Sequence, residues 1–208
     1  MVHMPRRPPT QPSGLSRERI LQVALAIAER EGIESLSMRR LAQELDVWPM
    51  SVYRYFQDKD ALLDAMAAGA AAGVTRPSRR GSWRTQIAAL LEDAQRSIDA
   101  SPGLASRLPR AFLTPAGLEL SEAGMAILLR AGFSKADAAS AWRALWSYTY
   151  GFAMFRVESR RSVRAAVAVL PEDRYPALAA AGDELAAALA DDGQFGRGLE
   201  RLLDGVEP

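Results

Sequence analysis

The chain has 208 residues, 49% of them hydrophobic, and 26 Lys or Arg against 25 Asp or Glu leave a formal net charge of +1. That length supports one large or two modest domains with a real core, and the near balance of charge means that affinity for a polyanion has to come from local basic groups. Cysteine is absent and the single histidine, His3, sits in a proline-rich leader, so thiol or imidazole catalysis, disulfides, metal sites and cofactors are not expected, nor is an enzyme.

No stretch approaches the roughly eighteen apolar residues of a membrane span. The opening MVHMPRRPPTQP lacks the hydrophobic core of a signal peptide, and the expectation is a cytoplasmic protein. Abundant alanine, few aromatics and few alternating β-branched runs predict an all-α fold.

Residues 1–14 are proline-rich and without apolar periodicity, which reads as a disordered arm whose Arg6 and Arg7 can reach a nucleic-acid backbone or minor groove. A first helix is predicted over Arg17 to Arg30, capped by Ser16, with Ile20, Val23, Ala24 and Ile27 on one stripe and Gly32 ending it. Ile33 and Leu36 then plug the core, and Ser37 caps a second helix. Arg39 and Arg40 open that helix at its positive dipole end, where cations are poorly placed for helix stability; a phosphate or base partner would account for them, and so would two solvated side chains, which cost little in water.

Leu41, Ala42 and Leu45 form the apolar side of the second helix, and Val52, Tyr53 and Phe56 repeat the pattern after the corner Asp46-Val47-Trp48. Pro49 stands in the first turn of the third helix, where its missing N–H is no loss. Two short helices at a tight corner make a helix-turn-helix candidate. The first turn of its second helix offers Pro49, Met50 and Ser51, followed by Tyr53, Arg54, Tyr55 and Lys59 as phosphate donors. On spacing alone, DNA recognition and simple packing both remain open.

Asp58-Lys59-Asp60 starts a fourth helix, with Leu62, Leu63 and Met66 inward. Up to Asp60 there are nine basic against eight acidic residues, so the orientation of the basic groups has to supply the affinity. Helical pattern is lost after Gly73, which puts a domain boundary at a 74–82 linker carrying Arg76, Arg79 and Arg80. The first domain is therefore predicted at 15–66, its last helix bridging to about 73, and the second at 83–208.

In that second domain, Trp83 to Ile98 reads as a helix, a short segment broken by Pro109 and Pro115 follows, and Gly117 to Ala131 reads as another helix. A long helix from Lys135 to about Ser159 carries Trp142, Trp146 and Tyr150 on one side and Leu145, Tyr148, Phe152 and Phe155 on another. Two large apolar faces call for two partners, either the subunit core and a second copy, or the core and a cavity. Residues 160–168 are expected to be irregular, as are 171–176, before a segment from Ala177 to Ala190 and a terminal helix with Phe195, Leu199, Leu202 and Leu203 inward.

The segments SRERILQVALAIAEREGIESLSMRRLAQEL and VYRYFQDKDALLDAM together resemble the TetR family of transcriptional regulators. The chain departs from that pattern at Asp46, where the family usually has glycine, and at Trp48, where a Ser or Thr cap is common; both imply an altered operator preference. The resemblance implies a dimeric, sequence-specific DNA-binding regulator, a repressor released from a palindromic operator by a small-molecule effector. The alternative is a helical ligand-binding or protein-interaction module without specific DNA binding. The resemblance places Arg39, Pro49, Met50 and Ser51 at base edges, Met50 meeting a thymine methyl. It puts Ser37, Tyr53, Arg54, Tyr55 and Lys59 on phosphates, with Arg40 and Trp48 beside them.

The second domain resembles the tetracycline-repressor-like branch. The aromatic stripe of the long helix makes Leu91, Arg110, Phe112, Met125, Trp146, Tyr150 and Met154 candidates for an effector pocket suited to an apolar or aromatic ligand, although each alone reads equally as core. The resemblance also implies a homodimer joined through the 135–159 and 194–204 helices of each subunit. A sensor holding a drug-magnesium complex through histidine is disfavoured, because no histidine follows His3.

Overall fold

The structure, a computed structural model, describes residues 14–100, 102–191 and 193–208, and these form helices and connecting turns with no strand among them. The arm expected at 1–14 lies, Gly14 apart, outside the described residues.

Helix α1 (Arg17–Glu31) begins where Ser16 Oγ accepts the Arg19 backbone N–H at 3.2 Å. It ends at Gly32, whose φ of 83° is in the left-handed half of the map that glycine enters without steric cost. A 3-10 turn (Ile33–Ser35) leads to α2 (Met38–Glu44), capped by Ser37 Oγ accepting Arg40 N–H at 3.1 Å. Helix α3 (Pro49–Tyr53) follows, then α4 (Lys59–Ala72), capped by Asp58 Oδ1 accepting Ala61 N–H at 2.7 Å. Apolar side chains at helical spacing meet in one core: Ile20, Ala24 and Ile27 of α1, Leu41 of α2, Val52 of α3, and Leu62 and Met66 of α4 are all at or near complete burial. Each of the larger side chains, Ala24 apart, contributes roughly 1.5–3 kcal/mol when removed from water.

The second half comprises α5 (Trp83–Asp99), a 3-10 segment (Pro102–Arg107), α6 (Leu108–Ala111), α7 (Pro115–Arg130), α8 (Lys135–Ala168), α9 (Pro176–Ala180), α10 (Gly182–Ala190) and α11 (Gln194–Asp204). Its main core joins Ile87, Leu90 and Leu91 of α5, Ile127 and Leu128 of α7, Trp142 and Leu145 of α8, and Phe195, Leu199 and Leu203 of α11. Where α7 crosses α8, Gly124 removes the obstacle: a Cβ there would lie 2.1 Å from Trp142 Cζ3.

One sequence expectation is corrected. Helix α8 runs through 160–168 to Ala168 instead of stopping near Ser159. The stretch RRSVRAAVA has lost apolar periodicity but contains no glycine or proline, and its residues are good or tolerable helix formers; the next breaker is Pro171. Phe195, Leu199 and Leu203 form the buried stripe of α11, and Leu202 packs half-buried at the margin of the same core. Arg84 donates to the carbonyls of Leu203 and Val206 at the end of α11, where Leu203 O also accepts the Val206 N–H at 3.2 Å.

The two halves are packed together. Leu104 and Ala111, from the second half, are buried in the core of α1–α4, and Ile33 fits against Gly103 so closely that a Cβ would lie 2.4 Å from its Cγ2. The 74–82 segment, which has no helix, is tied down by the Thr75 N–H donating to Asp93 Oδ2 at 2.6 Å and by an Arg76–Glu119 ion pair at 3.3 Å.

Candidate nucleic-acid interface

The corner between α2 and α3 is built around Asp46, whose φ of 53° makes it the positive-φ non-glycine residue of the described backbone. Aspartate tolerates this conformation better than most side chains. Beyond the corner, Trp48 occupies the cap position of α3 without a side-chain cap bond; its carbonyl accepts the Ser51 N–H at 2.8 Å. With no inward role, the indole stands 60% exposed and Met50 beside it 72% exposed. Tyr53 is 43% exposed, Arg39 and Arg54 are exposed, and Pro49 and Ser51 are half-buried. Val52 and Phe56 hold this surface against the core from beneath.

The other candidate residues are placed differently. Arg40 donates to Glu31 Oε1 at 2.8 Å and to Glu44 Oε2 at 2.7 Å, and Arg30 also reaches both carboxylates. Hydrogen bonding from Arg40 is the main reason that the Glu31 and Glu44 carboxyls are held below their ordinary range. Tyr55 is half-buried, its hydroxyl donating to Leu15 O at 2.6 Å, and its carbonyl accepts from Arg17, whose guanidinium lies 4.3 Å above the Phe56 ring. Lys59 Nζ is 3.5 Å from Ile33 O, and Ser37 Oγ is the cap of α2. Arg39 of α2, Trp48 at the corner, and Met50, Tyr53 and Arg54 in and just after α3 are thus exposed, while Arg40, Tyr55, Lys59 and Ser37 have internal partners.

Residues 20–66 match the family model of bacterial regulatory proteins, tetR family, and residues 77–208 match the tetracyclin repressor-like C-terminal domain. The chain belongs to the TetR family. It is similar to the HTH-type transcriptional repressor DrrR1 of Streptomyces coeruleorubidus, with 32% identity over 97% of this chain and 81% of that protein. The class C tetracycline repressor protein of Escherichia coli is 28% identical over 93% of this chain and 91% of its own length. Among solved structures, the Streptomyces coelicolor TetR-family protein ActR in complex with actinorhodin superposes with a TM-score of 0.78 at 27% identity, covering 93% of this chain and 96% of that one. This TetR-family chain is accordingly a DNA-binding transcriptional regulator of helix-turn-helix type with a helical C-terminal domain.

Within the C-terminal domain of this TetR-family member, the seven candidate effector residues are not alike. Leu91 is completely buried in the main core. Phe112 and Trp146 have ring centroids 5.8 Å apart, Trp146 stacks on Trp142 at 6.2 Å, and Met125 packs on the same cluster. Tyr150 and Met154 pack against a smaller group formed by Ile98, Ala105, Leu108 and Ala153. Arg110 is exposed and pairs with Asp64 of α4 at 3.3 Å. A cavity of about 310 Å³ lies along α8 toward α10, lined by Tyr148, Phe152, Phe155, Leu189 and Gln194 among others, and none of the seven candidates lines it.

Two features escaped the sequence. Arg107 bridges to Asp60 at 2.6 Å and to Asp64 at 3.3 Å, linking the second half to α4. Gln95, buried one turn after Leu91 on α5, donates to Asp99 while its Oε1 has no partner, and Trp142 Nε1 is likewise unpaired. No single helix among the described residues is long and apolar enough to cross a membrane.

Proposed function

We propose that this chain is a cytoplasmic, non-enzymatic, homodimeric repressor that occupies a palindromic operator and leaves it when an apolar or aromatic small molecule binds the C-terminal domain. Arg39, Met50 and Ser51 face base edges, and Tyr53 and Arg54 hold phosphates. Dimerisation uses the outer faces of α8 and α11, which sets two α3 helices about 34–36 Å apart, one turn of B-DNA. The effector enters among Phe112, Met125, Trp146, Tyr150 and Met154, which are packed on the core clusters and have to part to admit it, since the 310 Å³ cavity along α8 lies elsewhere.

The observation that carries the ligand-responsive part is the burial of Leu104 and Ala111 of the second half in the core of the first. A ligand that favours a different position of the 3-10 segment and α6 therefore changes the packing of α4, and through it the spacing of the reading helices. Binding of the folded dimer to a randomised duplex pool, at stated salt and with sequencing of the bound fraction, tests the operator reading. Enrichment of a palindrome with half-sites one turn apart is the expected result; a folded dimer that enriches no sequence overturns it in favour of a ligand-binding or interaction module.

A further inference from the structure

We infer that the operator half-site is read chiefly through thymine methyl groups, by an apolar edge formed from Trp48 and Met50, with Arg39 as the one strong polar base reader. This rests on the operator-binding reading above and specifies the chemistry of the sequence that reading requires.

The inference comes from what the fold leaves on the reading surface and what it withdraws. A major-groove edge offers acceptors, donors and, on thymine, a C5 methyl. Guanine and adenine are ordinarily discriminated by guanidinium or carboxamide groups that make paired hydrogen bonds. Helix α3 has neither in its first turn, which is Pro49, Met50 and Ser51. Arg40 is held by Glu31 and Glu44, and releasing it for DNA breaks both charge-assisted bonds. Tyr55 and Lys59 are spent on Leu15 and Ile33.

What remains outward at the front of α3 is a tryptophan and a methionine, 60% and 72% exposed. Neither is needed in the core, where Val52 and Phe56 already fill the space beneath α3. Two adjacent apolar side chains held in water, beside exposed Arg39 and Arg54, match a groove wall that is apolar at thymine and anionic at its rims. Methionine is unbranched and polarizable, so its end conforms to a methyl group without a fixed hydrogen-bond geometry.

The test replaces thymine by deoxyuridine one position at a time in the selected operator, which deletes the methyl and leaves the base-pairing edge intact. Fluorescence anisotropy at fixed salt reads the affinity. One or two positions in each half-site are expected to lose about fourfold on methyl deletion, and about fifteenfold when both half-sites are changed together. Met50→Ala weakens the intact operator and abolishes the difference between thymine and uracil at one of those positions; Trp48→Ala does so at a neighbouring one. Both residues are outside the core, and thermal unfolding of each variant checks that the fold is kept. An operator bound specifically but indifferent to uracil at every position overturns the inference while leaving the operator reading intact. So does discrimination that resides wholly in guanines, detected with 7-deazaguanine. Absence of any specific duplex means that the operator reading itself has failed.

Discussion

Gly124 decides, by one missing methyl group, whether α7 and α8 can cross where they do. An alanine Cβ at that site would overlap the ring of buried Trp142. Gly124→Ala is expected to destabilise the fold by about 1–3 kcal/mol through overpacking, measured as a drop in the urea midpoint at unchanged slope. Gly69, inside α4, supplies the contrast because a Cβ there meets nothing within 4 Å. Gly69→Ala is expected to raise stability by roughly 0.5–1 kcal/mol, since alanine loses less freedom in a helix. Asp46 is another residue where the backbone sets the terms. Its φ of 53° belongs to the tight corner that the sequence predicts, and Leu45 and the half-buried Val47 on either side of it pack on the core. Asp46→Ala is expected to cost about 1 kcal/mol, because alanine lacks aspartate's tolerance of this region.

At the scale of elements, α4 is the shared part of the two halves. It buries Leu62 and Met66 with α1 and α2, receives the Ser97 hydroxyl on Ala70 O at 2.7 Å, and carries Asp60 and Asp64 toward Arg107 and Arg110. The Arg107 hydrogen bond is the leading cause that holds the Asp60 carboxyl below its ordinary value of 3.8. A carboxyl with a lowered folded-state value contributes stability above its unfolded value and loses it as pH falls through the folded one. Arg107→Met is therefore expected to reduce the loss of stability between about pH 5 and pH 3 relative to the parent protein, as followed by urea unfolding at each pH. An unchanged acid-side slope would show that this bridge contributes nothing in solution. Such contacts also mark the limit of what the sequence discloses. Caps and 3.6-residue stripes act within one helix, so Ser16, Ser37 and the stripe Ile20, Ala24, Ile27 were legible. Arg107 and Asp60 are 47 positions apart, and no local pattern pairs them. Arg40 reads as a free cation until the turn after α1 brings Glu31, nine positions earlier, against it. The continuation of α8 was hidden for a different reason: helicity there depends on propensity and the absence of breakers, not on an apolar stripe.

For the whole molecule, the decisive question is how two reading surfaces are held at one spacing. Helix α8 turns Trp142 and Leu145 into its own core, whereas Ser140, Ala144, Ser147, Gly151 and Phe155 form an exposed stripe along its other side. Small side chains at four-residue spacing allow a second helix to approach closely, and Phe155 adds apolar area at the end of the stripe. Ala144→Glu places a charge in the middle of that face without touching the intramolecular core. Two such carboxylates brought together across a two-fold axis repel each other and lose hydration, so the variant is expected to sediment as a folded monomer. A monomer meets one half-site and neutralises about half as many phosphates. Its affinity for the palindrome then falls by orders of magnitude, and the slope of log affinity against log salt concentration is about half that of the dimer. If Ala144→Glu remains dimeric, the subunits meet elsewhere, and the half-site spacing has to be derived from that other surface. If it becomes monomeric yet binds the palindrome with the parent slope, the two half-sites are not occupied by one dimer.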